Sequence, residues 1–138
     1  MVKLNTYINF KNQAKEAMEF YKSVLGGELT MSTFKEGMSM EGPEADNIMH
    51  AMLIVGPDMT LMASDTPAHM EYKPAAGISL SLSGGPEDEE KLRGYWDKLA
   101  EGATITIPLD KAPWGDIFGM LTDKFGIGWM VNIEGKKE

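Results

Sequence analysis

The chain contains no cysteine, which removes disulfide bridges, thiolate-bound zinc, iron-sulfur clusters and cysteine nucleophiles together. Histidine is nearly as scarce: of 138 residues only His50 and His69 carry an imidazole. No apolar run approaches the length of a membrane span, and the opening MVKLNTYINF has no sustained apolar leader core. We therefore expect a cytoplasmic protein without a membrane partner. Positive charge is short as well, since 13 Lys plus Arg face 21 Asp plus Glu and leave a net charge of -8. Such a field repels a phosphate backbone, so nucleic acid is not an expected partner.

What is abundant is methionine, with 12 residues, several of them (Met49, Met52, Met59, Met62, Met120, Met130) in strand-like segments. Thioether side chains serve equally as core filler and as an adaptable ligand-binding lining, and the sequence leaves both open. The length suits one domain that buries its own core.

Periodicity divides the chain into two halves of the same order. Residues 12 to 25, NQAKEAMEFYKSVL, place Ala14, Ala17, Met18, Tyr21 and Val24 at helical spacing, with Asn12 as the expected N-cap and Gly26-Gly27 as the stop. Strand-like KLNTYINF precedes it and ELTMSTF follows. NIMHAMLIV and MTLMAS then flank the turn Gly56-Pro57-Asp58 as a hairpin. The second half runs GISLSLS, a helix from about Pro86 to Ala100, TITIPL, and a hairpin within WGDIFGMLTDKFGIGWMVN. Glu87 to Glu90 favour the positive end of the helix dipole, which accounts structurally for that acidic run.

The halves also match residue by residue. FYKSVLGGELTMS from Phe20 aligns with YWDKLAEGATITI from Tyr95, and HAMLIVGPDMTLMAS from His50 aligns with FGMLTDKFGIGWMVN from Phe118, 68 residues on. The expectation is a single α+β domain, 1–138, built from two βαβββ repeats at about 1–66 and 76–136.

Strand alternation assigns two faces. Thr6, Ile8, Phe10, Ala51, Leu53, Val55, Ile78, Leu80, Leu82, Trp129, Val131 and Ile133 should face the helices. The opposite face then carries Asn5, Tyr7, Asn9, His50, Met52, Ile54, Ser79, Ser81, Ser83, Met130 and Asn132. That mixture is too apolar for a solvated surface and too polar for ordinary core. A small-molecule pocket or a dimer interface would each account for it.

FYKSVLGGEL, LMASD at 61 to 65, and the W-G-D, F-G, T-D, F-G, W series from Trp114 to Trp129 together resemble the vicinal oxygen chelate superfamily. This group includes glyoxalases, bleomycin-resistance proteins and dioxygenases. Within it the chain is most similar to the PhnB-like branch, often labelled 3-demethylubiquinone methyltransferase-like, over essentially its whole length. The resemblance implies a cupped mixed eight-stranded sheet and a homodimer. It further implies, in metal-dependent members, four inward ligands that hold a divalent ion for vicinal substrate oxygens. Those positions fall here on Asn5, His50, Ile78 or Ser79, and Met130. Only His50 is a good donor, so no metal and no other cofactor is expected.

Alternating βαβ order of a methyl-donor cofactor fold is absent, and the methyltransferase label is not carried over. Ser79, Ser81 and Ser83 lack a nucleophile-elbow setting and suit pocket hydrogen bonding better. His69 lies in a loop. Asp65 and Asp116 stand near strand ends, where orienting a ligand and capping a turn are both open.

Three functions follow. The first is metal-free binding of a small molecule, with Tyr7, Met52, Trp114, Phe118, Met120 and Met130 giving apolar contact and Asn9, Ser79, Ser81 and Asn132 giving orientation. The second is a glyoxalase-like lyase or isomerase, or a dioxygenase-type enzyme, with His50 as acid/base or metal ligand and Glu36, Glu41 or Glu71 swinging in from loops. The third is a dimer whose open face is merely filled. Enzyme activity stays open.

Overall fold

The computed structural model describes residues 2–135, and the chain divides after Pro74 into two compact units. The first unit contains β1 (Thr6–Phe10), α1 (Ala14–Leu25), β2 (Glu28–Thr33), α2 (Phe34–Met38), β3 (Ile48–Gly56) and β4 (Met59–Asp65). Its four-stranded sheet has the order β1-β4-β3-β2, with β1 parallel to β4 and the other pairs antiparallel. The second unit contains β5 (Ser79–Gly84), α3 (Glu89–Leu99) after a 3-10 turn at Pro86–Asp88, β6 (Thr104–Lys111), β7 (Ile117–Thr122) and β8 (Gly128–Ile133). Its sheet order is β5-β8-β7-β6, with the parallel pair again joining the first strand to the last. Two four-stranded mixed sheets with helices give the α+β fold of the glyoxalase and bleomycin-resistance group.

Helix α1 buries one stripe, Ala14, Ala17, Met18, Tyr21, Val24 and Leu25, against β2, β3 and β4. The sheet answers with Ile8, Phe10, Ala51, Leu53, Leu61 and Ala63, all buried. Each large side chain removed from water here contributes about 1.5–3 kcal/mol. In the second unit Leu92, Trp96 and Leu99 of α3 are buried with Leu121, Trp129, Val131 and Ile133. Gly119 makes this packing possible: a Cβ there would lie 2.8 Å from the Trp96 ring and 2.9 Å from the Leu109 Cα.

Two buried aspartates hold backbone in place. Asp65 Oδ1 accepts from the Gln13 and Ala14 amides, 2.9 Å each, and its Oδ2 accepts from the Ile48 amide at 2.9 Å. It thereby satisfies orphan donors at the α1 N-terminus and ties the helix to two strands. Asp123 accepts from the Phe125 and Ile127 amides at 2.8 and 3.1 Å and from the Trp129 indole at 2.8 Å. That carboxylate fixes both the β7-β8 turn and the ring beneath the sheet.

Four expectations are corrected. Asn12 is not the N-cap: it sits at φ 62°, its side chain accepts from Asn47, and Gln13 occupies the cap position without a side-chain bond. Glu36, expected in a loop, instead closes the capping box of α2, its carboxylate accepting from the Thr33 amide and hydroxyl. Val55 is only half-buried, because the β3-β4 register shifts between Ile54 and Gly56. Ile78 precedes β5 and is 77% exposed instead of joining the core.

Candidate functional site

The face of each sheet turned away from its helix is the candidate ligand surface, and each carries methionine at its centre. In the first unit the register runs Tyr7, Met62, Met52, Thr30 across β1, β4, β3 and β2. In the second it runs Ser81, Met130, Met120, Ile107 across β5, β8, β7 and β6. All four methionines are half-buried. Directly opposed cross-strand side chains stand about 4.5–5.5 Å apart at Cβ, so each sheet presents one continuous thioether surface two strands wide. Met62 was not among the expected lining residues, although the 68-residue offset that aligns the halves carries it onto Met130.

The rows beside these are polar. Asn9 pairs with Ser64 in the first unit, and His50 with Ser32. In the second unit Ser83 pairs with Asn132, Asn132 with Phe118, and Phe118 with Asp110. The Tyr7 and His50 rings approach to 5.9 Å between centroids, tilted by 35°. They belong to β1 and β3, with β4 between, so both lean inward over Met62 and Ser64.

At the far end of the second sheet, the turn before β7 puts Trp114 edge-on to Phe118, 5.6 Å between centroids at 62°. Asp116 Oδ2 accepts from Asn132 Nδ2 at 3.2 Å and its Oδ1 from the Gly135 amide at 3.0 Å. These bonds, led by the Gly135 amide and helped by the Asn132 and Trp114 side chains, hold the Asp116 carboxyl below the ordinary aspartate range.

The expected site residues thus divide by unit. Tyr7, Asn9, His50 and Met52 share the first sheet's open face, while Ser81, Phe118, Met120, Met130 and Asn132 share the second's. Ser79 lies opposite Gly128, at the strand end away from the aromatic pair. Of the loop acids, Glu36 is committed to its cap and Glu71 stands 4.0 Å from Lys73 at the surface. Asp65, weighed for ligand orientation, is buried under α1 instead.

Against this geometry, a family model described as 3-demethylubiquinone-9 3-methyltransferase matches residues 2–132. The chain belongs to this family. Protein PA1353 from Pseudomonas aeruginosa is 35% identical, with a TM-score of 0.87 over 99% of this chain and 100% of that one. A putative 3-demethylubiquinone-9 3-methyltransferase, PhnB protein, from Bacillus cereus is 27% identical, with a TM-score of 0.72 over 96% and 99%. Among curated proteins, Protein YjdN of Escherichia coli (strain K12) is 28% identical over 94% of each chain. A glyoxalase/bleomycin resistance protein/dioxygenase superfamily member from Sphaerobacter thermophilus, 19% identical with a TM-score of 0.56 over 97% and 99%, shares the fold.

The divalent metal that the resemblance implies does not fit these residues. Among the described residues no three His, Cys, Asp or Glu side chains gather into a group that could hold an ion. The four positions that the resemblance assigns to ligands hold an exposed amide at Asn5, the imidazole of His50, an exposed Ile78 or Ser79, and the Met130 thioether. Thioether and amide donors suit hard or borderline divalent ions poorly.

Proposed function

We propose that the chain binds a small, partly aromatic or amphipathic molecule on the open faces of its sheets without the divalent metal used elsewhere in the superfamily. The observation that carries this is the paired thioether row at the same register in both sheets, Met62 with Met52 and Met130 with Met120. Polarizable, unbranched side chains adapt to irregular apolar shapes and favour aromatic rings. Polar groups beside each row, Asn9 and Ser64 or Asn132 and Ser83, supply the few oriented hydrogen bonds that a specific small-molecule site needs. Family membership supports the scaffold. The homodimer that the superfamily resemblance implies is part of the proposal, as is a reducing cytoplasmic setting compatible with a cysteine-free chain.

A thermal-shift screen of aromatic metabolites and antibiotics tests it. Saturable stabilisation by one chemical class, reduced in Met52→Gln or Met130→Gln, supports binding. A broad library without a single saturable hit contradicts it.

A second function is favoured by one observation, the half-buried His50 on the same face as Tyr7. An imidazole there has a proton-transferring group beside the bound molecule, as an acid/base lyase or isomerase requires. Loss of turnover in His50→Gln with ligand binding retained would select this enzyme; parallel loss of both would not.

A further inference from the structure

Trp114 is the most exposed Trp, Tyr or Phe ring among the described residues, at 62%, whereas Trp96 and Trp129 are buried. An exposed indole is normally free to rotate, yet this one packs edge-to-face with Phe118, 5.6 Å between centroids. The turn beneath is closed by the Ala112 amide on the Asp116 carbonyl at 2.7 Å and by the Gly115 amide on the Ala112 carbonyl at 3.0 Å, with Gly115 at φ 99°.

The Asp116 carboxylate accepts from two neutral donors, the Gly135 amide and the Asn132 side-chain amide. Neutral donors orient a charge without cancelling it. A second carboxylate, Asp110, lies opposite Phe118 across β6 and β7 and is exposed. Lys111, the next residue, points to the other side of the strand by alternation. The corner therefore combines a positioned, solvent-facing π surface with two negative charges on a chain of net charge -8.

Phosphate or carboxylate ligands would meet repulsion here. A cation gains from both features, because an ammonium over an indole face is attracted by the ring quadrupole and again by nearby carboxylates. We propose that Trp114, Phe118, Asp116 and Asp110 form a subsite for the ammonium group of a cationic small molecule. This deepens the open-face proposal by naming a charge class for the ligand, and it rests on that proposal.

The test uses choline and its uncharged isostere 3,3-dimethylbutan-1-ol, titrated into 15N-labelled full-length protein while the indole N–H resonances are followed. Choline should shift the Trp114 signal saturably, with the isostere at least fivefold weaker. Trp114→Leu and, separately, Asp110→Asn should each weaken choline binding at least fivefold, read from the Asn132 side-chain signal, with the folded spectrum retained. Equal response to choline and the isostere, no response to either, or choline binding unchanged in both variants overturns the subsite. An aromatic library hit on the methionine rows combined with no choline response sinks the subsite alone; failure of both sinks the open-face proposal too.

Discussion

The rings of Tyr7 and His50 come within 5.9 Å of each other across β4, a strand to which neither belongs. Two strand spacings separate their backbones by about 10 Å, so both side chains must lean toward the centre of the sheet. They form a wall beside Met62, and Tyr7 stays 47% exposed while doing so. Removing one ring should therefore cost binding more than stability. For Tyr7→Ala we expect the affinity of an aromatic ligand to fall by roughly 0.5–1.5 kcal/mol, about twofold to twelvefold, as for other aromatic contacts. Calorimetric titration of wild type and variant measures it. His50→Phe, which keeps the ring, should bind within twofold of wild type; a Phe variant as weak as His50→Ala would show that the imidazole nitrogens, not the ring, make the contact.

Asp65 takes three backbone amides from three residues, all in the first unit, and is buried. Asp65→Ala leaves those donors without their acceptor, at about 1–3 kcal/mol for each one that water cannot reach. We expect a loss of about 3 kcal/mol or more in urea unfolding, and faster hydrogen exchange of the α1 N-terminal amides. A loss below about 1 kcal/mol would mean water replaces the carboxylate.

Gly119 faces α3 from a central strand, and a methyl group there meets the Trp96 ring and the Leu109 backbone. A ring can shift, but backbone cannot do so cheaply. Gly119→Ala should destabilise by about 1–3 kcal/mol in chemical denaturation, in the range of overpacked cores. The near-ultraviolet circular dichroism of Trp96 should change with it.

The hydrogen bonds on Asp116 favour its charged form, led by the Gly135 amide. A carboxyl depressed in the folded state adds stability above its unfolded value, and that stability disappears as pH falls through the folded value. The stability difference between wild type and Asp116→Asn should therefore be flat through neutral pH and shrink only at and below the ordinary aspartate range. Thermal unfolding at a series of pH values checks this. A difference that grows on acidification would reverse the assigned direction.

Much of this architecture was legible in the chain. The duplicated order and the 68-residue offset anticipated two βαβββ repeats of the same strand topology, because a strand that buries one side must repeat its apolar residues every second position. Trp129, Val131 and Ile133 are buried as that alternation requires. What escaped were contacts made between distant residues. Asp65 caps α1 from 51 residues away, and no local pattern around Asn12 reveals it. The Thr33 to Glu36 box was visible as T-x-x-E but sat in a stretch dominated by loop residues. Met62 was legible only through the internal repeat, whose 68-residue offset carries it onto Met130.

The central claim is that the methionine rows bind a small aromatic molecule without metal. Its most direct test is equilibrium binding of an aromatic ligand, taken from the thermal-shift screen, to protein stripped with EDTA, compared with the same protein after adding Ni, Zn, Mn or Fe. We expect saturable binding at fixed stoichiometry, equal before and after metal, and at least threefold weaker in Met130→Gln. Binding that appears only after metal is restored, and vanishes in His50→Ala, would contradict the account.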